Sequence, residues 1–193
     1  PKTITDQNSA VTCAAYAAWV SAMQGRFDDM HYYYAQSRDL SEVFENRFAQ
    51  AIHLALCSEA FMFAGDVDTC LDLATRAVEM SRENGFPFWL GTGLVMRGWA
   101  LGQKGNTKLG LAELENGIAV FERTGAWVQL ANWYGLKAET LFRAGRTEDA
   151  ETAAEYALDR AEQAGDVWFK PRIYAVMERI LTALDQHAYP DDC

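Results

Sequence analysis

Gly25, Gly65, Gly105 and Gly145 stand 40 residues apart, and Gly85, Gly125 and Gly165 repeat that spacing 20 residues out of step. Glu45 occupies the place where this second ladder lacks its glycine. Glycine adopts the left-handed backbone that ends one helix and lets the next fold back, so two interleaved ladders mean two helices per unit. The spacing predicts helix-turn-helix units at about residues 9–46, 47–85, 86–125 and 126–165, then a single helix at about 170–186. Such an array is one all-α solenoid domain over residues 1–193, its last helix shielding the open face of the final unit.

Local signals fit this division. Ser9 is placed to cap the first helix, which runs to Gly25, and in the second helix Phe27, Met30, Tyr34, Leu40 and Val43 fall near one face. Asp66 offers an N-cap, followed by Val67, Leu71, Ala74 and Val78 at helical spacing. Pro87 suits a first helical turn, and Asn106 or Thr107 caps a helix whose stripe is Leu111, Leu114, Ile118 and Phe121. The fourth unit runs as helix from Ala126 to Arg143, turns at Gly145, and continues through a helix carrying Ala150, Ala153, Ala154, Ala157 and Ala161. The last helix starts near Pro171 and presents Ile173, Val176, Met177, Ile180, Leu181 and Leu184; HAYPDDC reads as a frayed tail.

Aligning the units by their turn glycines exposes columns of small residues. Ala18, Ser58, Gly98 and Ala138 share one column and Ser37, Ala77, Gly117 and Ala157 another, as close antiparallel packing requires. The pattern resembles the tetratricopeptide repeat, with a period of 40 residues in place of the usual ~34. That resemblance implies a right-handed superhelical solenoid.

The runs NGFPFWLGTGLVMRGWALGQKG, ENGIAVFERTGA and GDVWFKPRIYAVMERIL resemble, over roughly residues 65–184, a narrower group. They look like the C-terminal tetratricopeptide region of bacterial adenylate/guanylate-cyclase-type and predicted-ATPase signalling proteins. In that family a cyclase or DNA-binding output domain and an ATPase module precede the repeats, and related arrays in maltose-regulator-type activators receive a small inducer. None of the catalytic motifs is present in this chain, so the resemblance implies a regulatory appendage, bound to a protein or peptide or to upstream domains of its own polypeptide. The first residue, Pro1, fits an excised part of a longer chain.

Composition narrows the partners. A net charge of −10 opposes nucleic acid and acidic membrane, and the longest apolar run, Ala14 to Val20, is far short of the ~20 residues that span a bilayer. Cys13, Cys57, Cys70 and Cys193 lack ligand spacing and read as reduced, buried thiols of a cytoplasmic protein. Gly102-Gln-Lys-Gly-Asn-Thr-Lys lacks the phosphate-loop pattern, and Gly91, Gly93 and Gly98 are scattered inside a helix. His31, His53 and His187 have no partner at metal-ligand spacing. No catalytic residue, cofactor site or metal site is expected, and the chain reads as a non-enzyme.

The candidate binding surface is the inner face of the first helices. One column holds Trp19, Glu59, Trp99 and Glu139; the neighbouring columns add Met62 and Phe142, then Met23, Phe63, Gln103 and Arg143. Aromatic and thioether surface with a few charges suits a peptide, or an apolar small molecule with a cationic group. The competing reading is that Trp19 and Trp99 pack against the next repeat. Arg97, Asn132 and Lys137 lie near the same face, and Glu113, Glu115, Glu148, Asp149, Glu151 and Glu155 read as a solvated outer surface. Tyr32, Tyr33 and Tyr34 cannot all be buried on one helix, which leaves a contact for an upstream domain or a homodimer.

Overall fold

In the computed structural model, residues 4–188 are described, with side chains over 9–185; Cys193 and the tail beyond Ala188 lie outside. The described residues form four helical pairs: α1 (Ile4–Met23) with α2 (Phe27–Phe44), α3 (Arg47–Ala64) with α4 (Val67–Asn84), α5 (Pro87–Gln103) with α6 (Thr107–Glu122), and α7 (Leu130–Arg143) with α8 (Thr147–Ala164). A final helix, α9 (Lys170–Ala188), packs on α7 and α8. First helices stack on one another as an inner layer, α1 on α3, α3 on α5, α5 on α7 and α7 on α9, while the second helices form the outer layer. The chain is an all-α, right-handed, tetratricopeptide-like superhelical solenoid of four units plus a capping helix.

The glycine ladder sets the turns. All seven glycines have positive φ, from 66° to 88°. At Gly65 the next amide, Asp66 N–H, donates to Phe61 O at 3.0 Å, and Arg146 N–H reaches Leu141 O likewise after Gly145. These bonds satisfy carbonyls that the helix end leaves open. Glu45 takes the same left-handed conformation, φ 45°, without being a glycine. The ladder is therefore complete in backbone geometry although it is broken in sequence.

Both small-residue columns are buried. They bring α5 and α6 nearest: a Cβ on Gly98 would lie 2.6 Å from Gly110 O and from Leu114 N, and one on Gly117 would lie 2.7 Å from Val95 N. The α6 stripe Leu111, Leu114, Ile118 and Phe121 and the five α8 alanines are all buried as expected. Asp66 caps α4 by accepting from Thr69 N–H, and Pro87 occupies the start of α5.

Four expectations need correction. Helix α1 begins at Ile4, so Ser9 lies within it and is not its cap. In α2 the buried residues are Met30, Ser37 and Ser41, whereas Phe27 and Val43 are exposed; the serines turn inward because Ser37 Oγ donates to Val11 O of α1 and Ser41 Oγ to Arg38 O. Helix α7 starts at Leu130, with Gln129 left-handed at φ 67°, so the residues after Gly125 form a connector. Cys57 and Cys70 are buried thiols, but Cys13 is exposed.

Two stability outcomes follow. Gly98→Ala forces α5 and α6 apart and should cost about 1–3 kcal/mol by denaturant unfolding. Glu45→Gly relieves a strained side chain at a site whose geometry the other rungs share, and should stabilise by roughly 0.5–1 kcal/mol in the same assay.

Candidate functional site

The column that holds Trp19, Glu59, Trp99 and Glu139 is a hydrogen-bonded ladder between repeats. Trp19 Nε1–H donates to Glu59 Oε2 at 3.0 Å, and Trp99 Nε1–H donates to Glu139 Oε2 at 3.1 Å, each bond joining residues 40 apart. The first helices present these residues to one another because they stack in parallel along the inner layer. Trp99 and Glu59 are buried, as is Met62, so none of the three is open groove surface. Packing between repeats accounts for Trp99, while Trp19 is only half-buried.

The two carboxylates in this column meet opposite environments. Glu59 is fully buried, and its Oε1 has no hydrogen-bond partner. Burial pushes its pKa up to about 8, against the lowering effect of the Trp19 hydrogen bond. Burial pushes Glu139 up as well, but Arg172, Trp99 and Gln103 together hold it below the usual carboxylate range. Gln103 Nε2–H donates to Glu139 Oε1 at 3.0 Å, and the Arg172 guanidinium donates to Oε2 at 2.9 Å while lying 5.7 Å from the centre of the Trp99 ring. Arg143 is exposed, and its Nε is 4.0 Å from the same carboxylate.

Helix α9 and the connector before it cover two of the expected groove residues, Phe63 and Phe142. Phe169 stacks on Phe63, ring centres 6.2 Å apart and planes 14° from parallel. Phe142 lies under Arg179 of α9, 5.3 Å from its guanidinium. Arg97 and Lys137 are engaged with acids of α6: Arg97 makes two 2.7 Å hydrogen bonds to Glu113, and Lys137 pairs with Glu115 at 2.8 Å. Glu113 is thus part of a half-buried ion pair and not simply solvated surface. Asn132 is buried with neither side-chain polar atom hydrogen-bonded.

A cavity of about 650 Å³ stays open between the first helix and the last two connectors. Trp19 and Met23 of α1 form one wall, and Trp127, Val128 and Gln129 of the α6–α7 connector form another. Arg160 of α8 and Trp168 and Phe169 of the α8–α9 connector complete it. Trp127 and Trp168 are each 64% exposed. Of the ten groove candidates, only Trp19 and Met23 reach this cavity. The connector tryptophans were missed because they precede their helices, although GAWV and GDVWF place both just after a ladder glycine.

No known family profile matches the chain, and no curated protein matches it in sequence. Among solved structures, it is similar to aspartyl phosphate phosphatase F from Bacillus subtilis, at 15% identity and a TM-score of 0.66. The match covers 96% of this chain and 49% of the other, so the chain spans about half the length of that structure. The likeness is one of fold. It agrees with the tetratricopeptide-like architecture and does not extend to the cyclase or ATPase context.

Among the described residues, no group of three or more His, Cys, Asp or Glu is arranged to hold a metal ion. No described helix is long and apolar enough to cross a membrane.

Glu59 supplies a test of the ladder. Its folded pKa of about 8 lies above the ordinary 4.5, so the unfolded chain loses this proton first and stability falls as pH rises from about 4.5 to about 8. His53, lowered by burial from 6.5 to about 4, gives the opposite slope in both proteins, so the contribution of Glu59 is read by difference: in chemical denaturation the wild type should lose stability relative to Glu59→Gln as pH rises across that range. An identical slope in both would remove Glu59 as a source of that loss.

Proposed function

We propose that this chain is a non-catalytic helical-repeat scaffold that captures a protein or peptide partner in its concave cavity. The observation that carries the reading is the pair of exposed tryptophans, Trp127 and Trp168, at the rim of a cavity already walled by Trp19, Met23 and Phe169. Large aromatic side chains around a recess are the composition of binding hot spots, where a few rings supply most of the affinity. Gln129 and Gln163 add amide groups beside them. A peptide with an apolar anchor fits this lining, the anchor entering between the rings and its backbone meeting the amides.

The sequence resemblance over residues 65–184 supports a place for this scaffold as the regulatory arm of a bacterial signalling protein. The cyclase-type or ATPase-type output in that picture rests on the resemblance alone. From the phosphatase structure the reading takes the repeat architecture, not the activity in its name.

A second reading, a small-ligand sensor, is favoured by the size of the cavity, which falls within the ~300–1,000 Å³ usual for small-molecule sites. The two readings separate experimentally. Peptides selected from a displayed random library on the wild type should bind a Trp127→Ala/Trp168→Ala variant at least ~10-fold more weakly, with the helical circular dichroism signal unchanged because both rings are exposed. Equal binding by the variant would place the partner elsewhere. A library that yields no binder, together with a metabolite that raises the wild-type melting temperature but not the variant's, would replace the scaffold with the sensor.

A further inference from the structure

In the first two repeats, a cleft of about 240 Å³ lies between α2, α3 and α4. Three guanidiniums border it, one from each helix: Arg38, Arg47 and Arg76. Such a concentration is unexpected in a chain with a net charge of −10. Arg38 hydrogen-bonds Asp39 beside it at 3.0 and 2.8 Å, and Arg76 reaches Asp72 at 3.4 Å. Arg47 has no carboxylate partner and donates to Gln50 Oε1 at 3.2 Å. Each guanidinium carries five N–H donors, so all three retain donors for a ligand. Glu42 is the single carboxylate among the residues that border the cleft.

The buried wall of the cleft is His53, only 3% exposed. Its Nδ1 lies 2.8 Å from Ser37 Oγ, and that hydroxyl donates its own hydrogen to Val11 O. Ser37 therefore accepts from Nδ1–H, which makes Nε2 the lone-pair nitrogen. Cys57 Sγ sits 3.5 Å from Nδ1, and Tyr34 stacks on the ring with planes 14° from parallel. Nε2 has no hydrogen-bond partner in the protein. It is a free acceptor on a residue that lines a cleft bordered by three guanidiniums.

We infer that this cleft binds the phosphoryl group of a phosphate monoester, its oxygens held by Arg38, Arg47 and Arg76 and one ligand O–H donating to His53 Nε2. Guanidiniums from three helices match an anion with several oxygens pointing apart, whereas a carboxylate is satisfied by one bidentate arginine. The free acceptor further favours an anion that carries a proton. A phosphate monoester does so near its second pKa of about 6; sulfate does not. The ring is neutral in the free protein because burial first, and then the charges of Arg76 and Arg38, lower its pKa to about 4. Sulfate brings no proton to donate to Nε2. Glu42 opposes either anion.

Calorimetric titration of the full chain near pH 6 with inorganic phosphate, phosphoserine and sulfate tests the assignment. Phosphate and phosphoserine should bind, sulfate at least ~10-fold more weakly, and Arg47→Gln/Arg76→Gln should lose ~10-fold or more of the phosphate affinity. Both arginines are exposed, so the variant should fold normally, which circular dichroism checks. Glu42→Gln should tighten phosphate. No phosphate binding, equal sulfate binding, or unchanged affinity in the arginine variant would overturn the inference. Phosphatidylcholine vesicles doped with phosphatidic acid distinguish the source: capture that free phosphate competes away assigns the phosphoryl group to a lipid headgroup, and lack of capture beside phosphoserine binding assigns it to a soluble monoester.

Discussion

How close the two helices of a unit can approach decides what the rest of the molecule can do. Where Gly98 faces Gly110 and Gly117 faces Val95, backbone lies against backbone with no room for a Cβ. Ala18, Ser58 and Ala138 occupy the equivalent place in the other units and are fully buried. Nesting at these columns brings successive first helices into register as well, and only then can an indole of one unit reach a carboxylate of the next. The Trp19–Glu59 and Trp99–Glu139 bonds are in this sense read-outs of the packing. In a solenoid, whose stability is roughly a sum over neighbouring interfaces, such bonds add to the contacts that tie one unit to the next.

The final helix then breaks the equivalence of the units. Glu59 and Glu139 occupy the same column and accept from the same kind of indole, yet one is pushed toward the neutral form and the other toward the charged form. The difference comes from α9, which brings Arg172 to Glu139 and nothing comparable to Glu59. Just before this helix, Phe169 of the α8–α9 connector stacks on Phe63, a residue of the second unit. The segment that covers the open end also reaches back, through Phe169 and Arg172, to first helices of the second and third units.

The architecture was legible in the sequence because it rests on local rules. A glycine ladder, small residues at fixed offsets and the Asp66 cap each describe a few neighbouring residues, and the repeat multiplies their signal. The concave surface was legible only as a list of columns. That Trp19 and Glu59 share a column was visible; that they bond each other, and that Met62 turns into the core, depends on how one unit rotates against the next. Serines facing inward on α2 ran against hydrophobic periodicity, because Ser37 is paired between Val11 and His53 from two other helices. Glu45 was read as a missing rung, since sequence shows the residue and not the backbone angle that its neighbours impose.

The cavity forms where the repeat stops being regular. Between α2 and α3, and between α4 and α5, the chain needs only residues 45–46 and 85–86 to turn, and such short connectors leave nothing free to shape a surface. Between α6 and α7 the connector is residues 123–129, and between α8 and α9 it is 165–169. These longer segments carry Trp127, Val128, Val167 and Trp168, all exposed, and a left-handed Gln129 that a helix start does not require. Folding alone gives no reason to leave large apolar side chains in water at two neighbouring turns when the earlier turns manage with fewer residues. The binding proposed for this cavity would, since their burial then contributes to binding what it does not contribute to the free chain.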